Sequence, residues 1–221
     1  MVRPNITRTR VGKPGQFVRT LRTEQLRGLA EELYGVRSFP PLTKRKDGKY
    51  EGDILGFVKG LRFSARVIYF LREQLSGTDL EVSWGHLVDS YGQFCSPECD
   101  IIIHTKGHYR KWNGNGGTAP VMEFKFIEAK NAVAVVSCKS ELRSVDDDYP
   151  FGLRKFGVKH VLLFAECCAK QRLVRLRQRA RTSGYRGLWV LYYLDDTAGS
   201  YEIDEKMHFD FGQRILRIAT A

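Results

Sequence analysis

The sequence predicts an α/β fold: a mixed central sheet flanked by helices. Three observations carry this expectation. Phe57, Leu61, Ala65, Ile68, Leu71 and Leu75 keep a helical period, so 56–75 reads as a packed helix. Short apolar runs at 100–104, 132–138 and 158–165 read as strands. Strands and helical stretches then follow one another as helix, three strands, helix, strand, helix, strand, the pattern of one α/β domain.

Taken in order, residues 1–20 mix Arg, Thr, Gly and Pro without periodicity and read as a basic arm or loop. Thr23 can cap a short helix with Leu26, Leu29, Ala30 and Leu33 on one face, ending at Gly35. The stretch 39–49 is a linker whose Lys44, Arg45 and Lys46 are candidates for phosphate contact. The expected division is therefore a basic N-terminal arm with a short helix over 1–50 and a main domain over 51–221. Within the latter, 81–89 reads as a strand turning into the strand that begins near Asp100, a hairpin. Residues 105–119 read as a mobile loop. Its Tyr109, Arg110, Lys111 and Trp112 combine aromatic faces with cations, which suits unpaired bases or simply pins the loop. A further strand is expected over 121–126.

Downstream, Asp146, Asp147 and Asp148 precede Tyr149-Pro150. Aspartate caps helices and proline is tolerated in the first turn, so a helix is expected from Asp148 to Phe156. A second helix over 168–182 turns Leu173, Leu176 and Ala180 inward. Its outward row of Arg172, Arg175 and Arg179 is the best helical candidate for phosphate contact. A strand over 187–194, the acidic Asp195-Asp196 turn and a strand-like tail complete the chain.

With 36 Lys and Arg against 25 Asp and Glu, the net charge is +11, which favours a polyanionic partner. Its distribution matters more than its size. The balance is +8 over 1–50, −3 over 51–150 and +6 over 151–221, an acidic middle between basic flanks. That layout suits a metal site inside a nucleic-acid groove, and a soluble protein with basic solvated faces would share it. Apolar runs are far short of a membrane span and no signal-peptide stretch follows Met1, so a cytoplasmic protein without a membrane partner is expected. Five cysteines, an odd number, fit reduced thiols.

Chemistry concentrates in 96–142. Asp100 opens one apolar run, Ser96-Pro-Glu-Cys-Asp-Ile-Ile-Ile, and Lys139 closes another, Ala132-Val-Ala-Val-Val-Ser-Cys-Lys. A carboxylate can hold a divalent cation, and a neighbouring lysine can activate water or neutralise charge on phosphate. An aspartate and a lysine beside such runs are costly unless paired or functional. Order and spacing here, together with the 60–75 helix and Trp84-Gly-His-Leu-Val-Asp-Ser-Tyr-Gly-Gln, resemble a bacterial branch of the PD-(D/E)XK nuclease superfamily over roughly 56–165. The resemblance implies a restriction-endonuclease-like αβββαβ core and Mg2+ or Mn2+ as cofactor. Two departures thin the acidic set. Ser137-Cys138-Lys139 stands where the family has Glu-x-Lys, and Ser64 and Ala65 occupy the helical region where relatives often carry a glutamate.

Either the site has decayed or another carboxylate has migrated to it. Alternation puts Ser137, Lys139 and Glu141 on one side of their strand, and the three aspartates at 146–148 begin the next helix. Migration is the favoured reading. Asp100 would then bind metal, with Glu141 or one of Asp146, Asp147 and Asp148 completing it, Asp148 foremost, and Lys139 would activate water. Glu98 shares the Asp100 face and is a weaker candidate. The expected function is a metal-dependent nuclease acting on nucleic acid, DNA foremost, in restriction or phage defence, with room for a homodimer or a partner subunit. The alternative is an inactive nucleic-acid-binding subunit of the same fold. Cys95, Cys99, His104 and His108 have zinc-like spacing, yet alternation would send Cys99 and His104 to opposite faces.

Overall fold

The computed structural model describes residues 6–10, 17–21, 52–111, 124–195, 200–204 and 206–220. The short helix expected near 23–35 and the linker with Lys44, Arg45 and Lys46 lie outside the described residues, as does Trp112. The element order is β1 (Ile6–Arg10), β2 (Phe17–Leu21), α1 (Gly52–Gln74), β3 (Leu80–Val88), β4 (Cys99–Thr105), β5 (Tyr109–Lys111), β6 (Phe124–Glu128), β7 (Ala132–Glu141), α2 (Asp148–Lys155), β8 (His160–Ala169), α3 (Leu173–Thr182), β9 (Leu188–Asp195), β10 (Ser200–Ile203) and α4 (Met207–Ala219).

Eight strands form a mixed sheet in the order β10-β9-β8-β7-β4-β3-β6-β5. β3, β4 and β7 pair antiparallel as neighbours, and β8 joins parallel to β7 after the crossover through α2. The succession α1, β3, β4, β7, α2, β8 is the αβββαβ core, with β5 and β6 inserted between its second and third strands. Ile101 and Ile103 pack on one face of β4 and Ile102 on the other, all at 0–1% exposure. That is why this strand is an unbroken apolar run: it is covered on both sides.

The two faces bury separate clusters. Phe63, Val67, Ile68, Leu71 and Leu75 of α1 meet Phe211, Ile215 and Ile218 of α4 on one. Leu153 of α2 and Leu176 and Ala180 of α3 close the other. Beyond β4, β3 turns to β6, and Gly85 makes that parallel pairing possible. Its φ is +156°, and a Cβ there would sit 1.7 Å from the Lys125 carbonyl oxygen.

Several expectations need correction. Residues 109–111 are a strand paired with β6, not loop, because Tyr109 is an anchor: Lys125 Nζ lies 3.6 Å from its ring centroid and the His104 ring 5.8 Å away. Part of the 1–20 arm is an antiparallel ribbon of β1 and β2, with β2 lying against α1 and α4. β8 continues to Ala169, so the following α-helix begins at Leu173 rather than 168, after a 3-10 turn. The strand-like tail is the short β10 followed by a helix. Met207, Phe211, Ile215 and Ile218 follow a helical period that covers the sheet. None of α1 to α4 is long and apolar enough to cross a membrane.

Candidate active site

The register of β4 against β7 builds the site. Ile101 pairs with Val136 and Ile102 with Val135. One step further, Asp100 falls opposite Ser137 and the backbone ladder stops. The Asp100 side chain takes over: the Cys138 amide donates to its Oδ2 at 2.8 Å. The carboxylate thus ties the strand ends together and stands at the mouth of a cavity of about 340 Å3. Ser137 and Lys139 of β7, Glu98 before β4 and Asp146 before α2 line the same cavity.

Burial pushes the Asp100 carboxyl above its ordinary value. The Cys138 amide, the Lys139 charge and a hydrogen bond from Ser137 pull it back, while Glu98 pushes the same way as burial. Asp100 is therefore a carboxylate whose negative charge wants a cation nearby. Lys139 is exposed, and its charge acts on Asp100 across the strand gap. The walls also present two tyrosines, Tyr149 and Tyr185, whose hydroxyls burial keeps protonated. Ser64 of α1, 5% exposed, lines the cavity.

The acids expected to complete the set separate sharply. Glu141 is held by Arg143, which donates to both of its oxygens at 2.9 and 3.1 Å, and it does not line the cavity. Asp148 sits exposed in the first turn of α2, also outside the lining. Asp146 does line it. Its Oδ1 accepts from the amides of Asp148 and Tyr149 at 3.0 and 3.2 Å, so the residue caps α2 as it faces the cavity. Asp147 points the other way, accepting from Arg179 and from Ser183 Oγ. Glu98, the weaker sequence candidate, lines the cavity and accepts from Trp84 Nε1. Trp84, Tyr149 and Tyr185 also line the cavity, and nothing in strand periodicity marks a residue that reaches it from another element.

Arg172, Arg175 and Arg179 come together along a groove of about 850 Å3, joined by Arg143. Ser144 and Val145 also line this groove, while Asp146 lines the Asp100 cavity. Arg110 and Lys111 lie in β5 opposite Phe126 and Lys125. The zinc-like set does not assemble. His104 is buried with Nδ1 2.9 Å from the Thr105 carbonyl and Nε2 2.8 Å from Ser83 Oγ, Cys99 is buried, and His108 is exposed. The five cysteines are free thiols.

Among the described residues no three His, Cys, Asp or Glu side chains cluster closely enough to cage a metal. Mg2+ does not ask for such a cage: it binds through one or two carboxylates and takes waters and phosphate oxygens for the rest. Asp100 with Asp146 or Glu98 fits that donor chemistry.

No family model matches the chain, and no curated protein is significantly similar to it. Solved structures are. NucC of P. aeruginosa ATCC27853 in its cAAA-bound form is 14% identical, with 90% of this chain and 92% of that one covered at a TM-score of 0.51. NucC of E. coli MS115-1 is 13% identical in its cAAA-bound form, covering 88% and 89% at 0.49, and 12% identical in its apo form, covering 89% and 92% at 0.46. At this identity the likeness to P. aeruginosa NucC is one of fold: the α/β mixed sheet flanked by helices.

Proposed function

We propose that this protein is a divalent-metal-dependent nuclease acting on DNA in restriction or phage defence. One observation carries the reading most directly. Asp100, half-buried near a strand end and bonded to the Cys138 amide, shares a cavity with Lys139 and with the carboxylates of Asp146 and Glu98. Motif order and the αβββαβ fold support it.

Asp100 would hold Mg2+ or Mn2+ together with Asp146 or Glu98, and the bound cation would supply Lewis-acid stabilisation of charge on the phosphate. The chain's own groups do the rest. Lys139 Nζ orients and activates the attacking water and offsets negative charge at the phosphate. Ser137 bonds to Asp100 and orients its carboxylate rather than binding metal itself. The protonated Tyr185 hydroxyl offers a donor to phosphate oxygens, while that of Tyr149 is buried toward Cys99.

The test is incubation of the purified protein with plasmid and with single-stranded DNA, in Mg2+ or Mn2+ and in chelator. Metal-dependent cleavage that disappears in Asp100→Asn and Lys139→Ala is the expected result; cleavage surviving either change removes the assignment. Ser137 in place of the family's glutamate favours a second reading, a nucleic-acid-binding subunit that hydrolyses nothing. Binding without cleavage in any metal would establish it.

A further inference from the structure

Four arginines converge where folding alone gives no reason for them. Arg143, Arg172, Arg175 and Arg179 are all exposed, yet they line one concave groove floored by Leu176. Arg172 and Arg175 stand at the N-terminal end of α3, whose first turn has no acidic residue. That is the positive end of the helix dipole, where cations are disfavoured. Among the described residues no carboxylate is within ion-pair distance of either one. Arg143 is engaged by Glu141 and Arg179 by Asp147.

One loop borders both the groove and the candidate active site: Arg143, Ser144 and Val145 line the first and Asp146 the second. The neighbour of Asp146, Asp147, accepts from Arg179, which lines the groove. A phosphodiester chain leaving the cavity across this segment would enter a row of guanidiniums spaced along one helix face. Guanidinium binds phosphate bidentately, and a carboxylate on Arg179 occupies the position a phosphate would take.

We propose that the groove is a second substrate subsite, taking the backbone of the DNA strand beyond the scissile bond, and that Asp147 is an anionic stand-in which substrate phosphate displaces from Arg179. The inference rests on the nuclease reading for the identity of the strand. The subsite makes affinity depend on strand length: a dinucleotide fills only the cavity, and a long oligonucleotide fills both.

Binding in chelator, where nothing is cut, tests this apart from catalysis. Fluorescence anisotropy is read for labelled dinucleotide and long oligonucleotide across a salt series, with thermal melts confirming that each variant is folded. The Arg172→Ala, Arg175→Ala double variant is expected to lose the gain in affinity with length and to lower the salt slope by roughly two, one per lost phosphate contact. Asp147→Asn keeps an acceptor for Ser183 and is expected to bind the long oligonucleotide more tightly than the wild type. Unchanged length dependence and slope in the arginine variant would overturn the subsite. Equal or weaker binding by Asp147→Asn would overturn the stand-in, leaving Asp147 as a structural tie. Absence of cleavage with these binding changes intact would sink the nuclease reading alone.

Discussion

Asp100 is asked to do two incompatible things, and its environment records the conflict. Burial raises its pKa, so the native state holds the proton more tightly than the unfolded chain does. Native stability contributed at this residue is then present at low pH and lost as pH rises from the ordinary aspartate value near 3.8 through the raised one. Without metal, Asp100→Asn should therefore melt higher than the wild type at neutral pH, and the difference should vanish in acid. Added Mn2+ should raise the melting temperature of the wild type but not of the variant, which lacks the charge that holds the cation. A variant that melts lower at neutral pH would mean that the bond to Cys138 outweighs the buried charge. His104 has the opposite sign. Burial lowers its pKa, so the unfolded chain binds the extra proton and stability falls as pH drops through about 6.5. The fall should be smaller in a His104→Gln variant that keeps the Ser83 contact, with the remainder coming from His160, which burial also shifts down.

At the scale of elements, the question is which segment supplies the second carboxylate. Asp146 belongs to the loop between β7 and α2 and serves both as cap and as cavity wall. The two roles separate by substitution. Asp146→Asn keeps an acceptor for the helix amides, so stability should hold while the metal concentration needed for cleavage rises. Asp146→Ala should show the same metal defect and cost about 1 kcal/mol of stability besides. Neutralising Glu141 or Asp148, which stand outside the cavity, should leave the metal requirement unchanged. Ser137→Glu in the Asp146→Asn background should restore part of the activity, because position 137 falls opposite Asp100 in the strand register. If the wild type is inactive and Ser137→Glu alone creates cleavage, decay is the better account. A metal requirement that Asp146→Asn does not change would shift the role to Glu98.

On the whole molecule, the face of the sheet opposite α2 and α3 depends on the C-terminal helix. Phe211 is fully buried, its ring 4.6 Å from that of Phe164, 5.2 Å from Trp189 and 6.1 Å from Phe70. Phe211→Ala should cost about 3–5 kcal/mol by chemical denaturation, since three aromatic neighbours cannot collapse into the void. A loss below about 1 kcal/mol would mean that α4 is not part of the cooperative core. The same helix lies against α1, which carries Ser64 to the cavity. The variant's cleavage should thus fail at a lower temperature than that of the wild type.

Much of this architecture was legible in the residues. Apolar period and run length are local properties, and they located α1, β4, β7, α2 and β8, with Asp100 and Lys139 at strand ends. The C-terminal helix differs from the strand-like tail expected after the acidic turn, because Met207, Phe211, Ile215 and Ile218 keep a helical spacing that the sheet face rewards. The choice among the acids was of another kind. Glu141 follows Lys139 by strict alternation, yet Arg143 captures it, and Asp146 is indistinguishable in sequence from the two aspartates after it. Which of them faces the Asp100 cavity depends on how the β7–α2 connection turns and on which oxygens the helix amides and Arg179 take up. The capping bonds and the Arg143 pairing are local, but the Arg179 tie to Asp147 and the shared cavity with Asp100 join segments far apart in the chain, so only tertiary structure could complete the selection.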